Sequence, residues 1–141
     1  METAEKTTIT IEAVVKAPVE KAWTYYSEPK HITHWAFASD DWHAPHAEND
    51  LRKEGKFKTT MAAKDGSFSF DFEGVYTNVQ PYQVIEYEIG DGRKVKITFS
   101  GNDNETKITA VFEAESESPI EMQRGGWQAI LDNFKKYTES N

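Results

Sequence analysis

The sequence predicts one α+β domain: a strand, one or two short helices, about five antiparallel strands, then a long C-terminal helix. Three observations carry that reading. Most of the chain between Thr8 and Phe112 is built from segments that alternate apolar and polar residues, and such segments make strands with one dry and one wet face. The C-terminal segment instead repeats its apolar residues at helical spacing. Finally, 141 residues suit a single domain, residues 1–141 with an ordered core expected over about 7–138, and no internal repeat or linker divides it.

Each element has its own signal. Ile9, Ile11 and Ala13 share one face of a β-branched strand over Thr8–Val15. Pro18 fits a first helical position, and Val19, Ala22, Trp23 and Tyr26 follow at helical spacing, so a short helix is expected to about Ser27. Pro29 stops or restarts it, with a further helical turn over His31–Trp35. From Phe37 to Asp50 no period is sustained, which reads as a loop anchored by Phe37 and Trp42.

Lys56–Ala63 places Phe57, Thr59 and Met61 on one side, and Lys64-Asp65-Gly66 is a hairpin signal, since Asp-Gly readily takes positive φ. In Ser67–Gln80, Phe68, Phe70 and Phe72 oppose Ser69, Asp71 and Glu73. The alternation changes phase at Gly74, where a bulge or sharp bend is expected. Gln83–Gly90 carries Ile85, Tyr87 and Ile89, a turn follows at Gly90-Asp91-Gly92, and Val95, Ile97 and Phe99 alternate with Lys94, Lys96 and Thr98. After Gly101-Asn102-Asp103-Asn104, the last strand has Ile108, Ala110 and Phe112 inside. Ser118-Pro119-Ile120-Glu121 has the form of a capping box. It opens the longest helix, whose stripe is Ile120, Trp127, Ile130, Leu131, Phe134 and Tyr137. Gly125-Gly126 implies close approach to the sheet or a kink. A bent sheet with one dry face is covered by that helix.

Composition narrows the function. Aromatic residues make up 13% of the chain while there are only two leucines, so the core is built from rings. A net charge of -8 makes nucleic acid and anionic membrane poor partners. The chain has no cysteine, which excludes disulfides, thiol catalysis and cysteine-ligated metal. The polar opening Met1 to Lys6 has no signal-peptide character, and no apolar run approaches the roughly 18 residues of a membrane span. A cytoplasmic monomer or homodimer is expected.

Several strings, in their order and spacing, resemble the activator of heat-shock protein 90 ATPase-like family of the START-like (SRPBCC, Bet v 1-like) helix-grip superfamily. They are Ala17-Pro18-Val19-Glu20-Lys21-Ala22-Trp23, His34-Trp35, Glu48-Asn49-Asp50-Leu51-Arg52, Gly55-Lys56-Phe57, Phe72-Glu73-Gly74-Val75-Tyr76, Gly125-Gly126-Trp127 and Leu131-Asp132-Asn133-Phe134. The resemblance covers about Thr8 to Tyr137. It implies a curved antiparallel sheet of about six strands gripping the C-terminal helix, with a cavity between them that the superfamily uses for apolar molecules. Some members are cyclases or hydrolases. Eukaryotic chaperone activators carry an additional N-terminal domain, so a co-chaperone role is the lesser expectation.

The candidate ligand-binding residues are Trp35, Phe37, Trp42, Phe57, Met61, Phe70, Phe72, Tyr87, Phe99, Trp127 and Ile130. Rings at strand and helix spacing serve equally as solid core, so cavity lining and core both stay open. His31 and His34 are three apart, as are His43 and His46, with Asp40, Asp41, Glu48 and Asp50 nearby. The group matches no standard zinc spacing and reads as a solvated loop, so no metal and no cofactor are expected. Residues weighed for catalysis are His34, Asp71, Glu73, Glu86, Tyr87 and Arg124, and none is assigned. Most fall on wet faces, and no GxSxG, HExxH, phosphate-loop or dinucleotide motif occurs. Binding of a small apolar or amphipathic molecule is the expected function. A cyclase- or hydrolase-type enzyme and a protein-interaction module are the alternatives.

Overall fold

A computed structural model describes residues 7–90, 92–115 and 118–141. The opening Met1 to Lys6 and Asp91 of the expected turn lie outside the described residues. The order is β1 (Thr8–Val15), α1 (Val19–Ser27), α2 (Pro29–Ile32), β2 (Trp42–Asn49), β3 (Lys56–Ala63), β4 (Ser69–Gln80), β5 (Val84–Ile89), β6 (Lys94–Gly101), β7 (Thr106–Glu113) and α3 (Ile120–Ser140). The strands form one curved antiparallel sheet in the order β1-β7-β6-β5-β4-β3-β2. β1 and β2, neighbours in sequence, therefore occupy opposite edges, and α1 and α2 carry the chain from one to the other. α3 lies over the concave face. Gln128 Nε2 donates to the Glu12 carbonyl at 3.2 Å, and Asn133 Nδ2 donates to the Phe37 carbonyl at 2.6 Å.

The alternating residues pack inward as their pattern dictates. Ile9, Ile11, Ile85, Ile97, Phe99, Ile108 and Phe112 are buried in one cluster with Leu131 and Phe134 of α3. Gly66 takes φ +81° in the expected hairpin, where Ser67 N–H donates to Asp65 Oδ1 at 2.8 Å.

Four expectations need correction. The segment expected to be a loop contains β2, so the sheet has seven strands. β2 pairs with β3 from Trp42↔Ala63 to Asn49↔Phe57, with an irregularity between His43 and His46. The inward side of this strand is Ala44, Ala47 and Asn49, and Pro45 lies within the irregularity. An edge strand tolerates that proline because it need not donate there.

The phase change in β4 is not at Gly74, which pairs regularly with Phe57 and Ile89. The register shifts between Tyr76 and Asn78. Gly74 is instead a site of close approach: a Cβ there would lie 2.6 Å from the Glu88 carbonyl oxygen and 2.9 Å from Phe57 Cε2.

No capping box forms at α3. Pro119, not Ser118, is the N-cap, and its side chain has no oxygen with which to accept a bond. Glu121 pairs instead with Arg124. Gln123 instead ties the helix to the chain before it: its Oε1 accepts from Glu115 N–H at 2.9 Å, and its Nε2 donates to the carbonyls of Glu115 at 3.1 Å and Ser118 at 2.8 Å. Nor do Gly125 and Gly126 bring the helix close to the sheet, since a Cβ at either would meet nothing within 4 Å.

Candidate functional site

Between the sheet and α3 lies a cavity of about 420 Å³. Its lining follows from strand parity. Phe57, Thr59 and Met61 of β3, Phe70, Phe72 and Tyr76 of β4, and Ile85 and Tyr87 of β5 all face it, as do Trp127, Ile130 and Leu131 from the α3 stripe. Rings pack against one another along one wall. Phe57 lies 4.8 Å from Tyr87 and 5.3 Å from Tyr76, and Phe72 lies 5.9 Å from Trp127. Trp127 is itself fixed by stacking on Phe112 at 3.9 Å.

One end opens among the β3–β4 and β5–β6 hairpins and the start of α3. Arg93, Glu115, Ser118, Met122 and Gln123 line it. Beside it Phe68 is 58%, Phe70 43% and Met122 67% exposed, which leaves an apolar rim. The other end is closed by α1 and α2 through Tyr26, Ser27, Ile32 and Trp35. Here the cavity is hydroxylated. The Tyr76 hydroxyl donates to Asn49 Oδ1, and Asn49 Nδ2 donates to the Ser27 carbonyl at 2.6 Å, so β2, β4 and α1 are tied at this point. Burial pushes the Tyr26 phenol far above its ordinary pKa, with Tyr76 adding to the shift. Burial raises Tyr76 in the same way, against the opposing effect of its bond to Asn49. Tyr87 is raised well above its ordinary value by burial, then by Tyr26 and Tyr76. All three phenols are therefore protonated at neutral pH.

Of the expected binding residues, Trp35, Phe57, Met61, Phe70, Phe72, Tyr87, Trp127 and Ile130 line the cavity. Three sit elsewhere. Phe99 is solid core, 5.1 Å from Trp23 and 5.6 Å from Tyr26. Trp42 faces Phe68 and Phe70 at the rim, 6.0 Å from each. Phe37 is half-buried and contributes its carbonyl to Asn133. The residues that sequence reasoning misses are mainly the polar ones, Tyr26, Ser27, Asn49, Tyr76 and Gln123. Tyr26 stands on the apolar stripe of α1, but nothing local marks an Asn or Ser as cavity-facing.

The histidines separate. His31 Nδ1 and the Tyr137 hydroxyl share a hydrogen bond of 2.7 Å, and the His34 ring stacks on Tyr137 at 5.4 Å. His46 pairs with Glu48 at 2.7 Å, where both are exposed. Among the described residues no group of three or more His, Cys, Asp or Glu is arranged to hold a metal. The residues weighed for catalysis are mostly outside the cavity as well. Asp71 accepts from Thr60 at 2.8 Å, Glu86 from Asn78 at 2.9 Å, and Arg124 pairs with Glu121. Tyr87 alone of that set lines it.

The chain matches the family model described as Activator of Hsp90 ATPase homolog 1-like protein over residues 16–139. It is similar to the solution structure of an AHSA1-like protein from Aeromonas hydrophila, with 39% identity and a TM-score of 0.89 over 95% of this chain and 93% of that one. It is also similar to a protein from Cytophaga hutchinsonii, with 54% identity and a TM-score of 0.81 over the same shares. A Chromobacterium violaceum protein at 22% identity and a TM-score of 0.82, over 96% of this chain and 99% of that one, shares the fold. No curated protein matches the sequence.

Proposed function

The chain belongs to the Activator of Hsp90 ATPase homolog 1-like family, and on that premise we propose that it binds a small apolar or amphipathic molecule in the cavity between the curved sheet and α3. The observation that carries this reading is the cavity itself: about 420 Å³ walled by phenyl, indole and aliphatic groups, within the size range of small-molecule sites. Burying ligand carbon supplies the driving force, about 25 cal/mol per Å² of apolar surface. The lining supports binding more than catalysis. Its deep titratable groups are phenols held protonated, and its carboxylates are Glu48, paired with His46, and Glu115, at the mouth. A general base placed against the phenols is lacking among the described lining residues.

The test is native mass spectrometry of the chain with a panel of fatty acids, sterols and aromatic polyketides. A one-to-one complex with at least one class is expected. A panel with nothing bound contradicts the reading.

A protein-interaction role has one observation on its side, the exposed rim of Phe68, Phe70 and Met122. A bacterial-type Hsp90 whose ATPase rate responds to the wild-type chain and not to a Phe68→Ser variant would favour it.

A further inference from the structure

The closed end of the cavity holds more hydrogen-bonding capacity than the fold consumes. Tyr26 and Tyr87 line it, and neither hydroxyl has a hydrogen-bond partner among the described residues. Ser27 Oγ has no partner among them either, but it is sealed away from the cavity space and is not one of these donors. The neighbouring groups are already committed. Tyr76 donates to Asn49, and Asn49 donates to the Ser27 carbonyl, which holds Ser27 beside the phenols. A phenol that faces an apolar cavity without a protein partner is left to bond an oxygen brought there by a ligand.

The lining also decides the charge of that oxygen. Arg93 is the one cation among the described lining residues, and it sits on the β5–β6 turn at the mouth. A carboxylate carried to the closed end would meet donors but no compensating charge, and an uncompensated buried ion is strongly disfavoured. An alcohol, ketone or phenol would satisfy the same donors without that cost.

We propose that the hydroxyls of Tyr26 and Tyr87 form the recognition site for the uncharged oxygen group of an amphiphile. Its carbon body would run past Phe57, Phe72 and Ile130 toward the mouth. This inference rests on the cavity-binding reading and adds ligand class and orientation to it.

Calorimetric titration with two probes of equal chain length, 1-decanol and decanoate at pH 8, tests it. The wild-type chain is expected to bind 1-decanol at least about ten-fold more tightly than decanoate. The Tyr26→Phe, Tyr87→Phe double variant keeps both rings and is expected to lose about ten-fold for 1-decanol, as two net hydrogen bonds imply, with decanoate little changed. Decanoate binding as tightly as 1-decanol, or a folded double variant with undiminished affinity for 1-decanol, overturns the inference and leaves the cavity reading standing. Failure of both probes to bind the wild-type chain overturns both. Should the double variant not fold, the wild-type preference between probes decides.

Discussion

His31 shows how one half-buried side chain ties this fold to pH. Its ring stacks on Tyr25 at 4.0 Å, bonds Tyr137, and lies 3.8 Å from Glu28, so α1, α2 and α3 meet around it. Burial lowers its pKa from the ordinary 6.5; Glu28 opposes the shift, while Lys30 and His34 reinforce it. A base whose folded pKa lies below its unfolded one binds more protons when unfolded. Its contribution is therefore complete above the ordinary value and is lost as pH falls through the folded one. Thermal melts are expected to show the melting temperature falling between about pH 7 and pH 5, with a shallower fall in His31→Gln. A variant that keeps the full wild-type slope would remove His31 from this role. The histidine spacing is visible in the sequence, but Tyr137 lies 106 residues away, and no local pattern announces such a partner.

At the scale of elements, whatever carries alternating bulk is legible in the sequence. β3, β5, β6 and β7 can be read because large apolar residues mark every second position. β2 cannot, because Ala44, Ala47 and Asn49 give its inner face little hydrophobic contrast and Pro45 disguises the rest. β4 is legible in extent but not in phase. A break at Gly74 would turn Tyr76 outward, whereas the break beyond Tyr76 keeps it inside, only 6% exposed, and leaves Val75 39% exposed. That one displaced bulge hides a main polar group of the cavity. The close approach at Gly74 also makes a sharp prediction. Gly74→Ala is expected to lower stability by about 1–3 kcal/mol, because the methyl must displace Phe57 or the β5 backbone. Gly125→Ala, with open space around it, is expected to raise stability by up to about 1 kcal/mol. Urea unfolding measures both, and a neutral Gly74→Ala would mean that the β4–β5 contact yields more easily than its geometry implies.

For the whole molecule, the helix over a bent sheet is readable from element order, because a dry sheet face requires a cover. The empty space beneath that cover is not. The same rings at the same spacing could fill the interior or line it, and only the curvature of the sheet and the placing of α1 and α2 decide between the two. Among the described residues no helix is long and apolar enough to cross a membrane. The molecule's chemistry is thus concentrated in an enclosed space with an apolar wall, a hydroxylated floor and an apolar rim.

An NMR titration with 1-decanol, following amide and side-chain signals across the fold, asks whether that space takes up a ligand. Saturable shifts are expected at Tyr26, Phe72, Tyr87, Trp127 and Leu131, with the exposed Lys96 and Glu105 unmoved. Shifts restricted to the rim at Phe68 and Trp42, or none at all, would refute binding in the cavity.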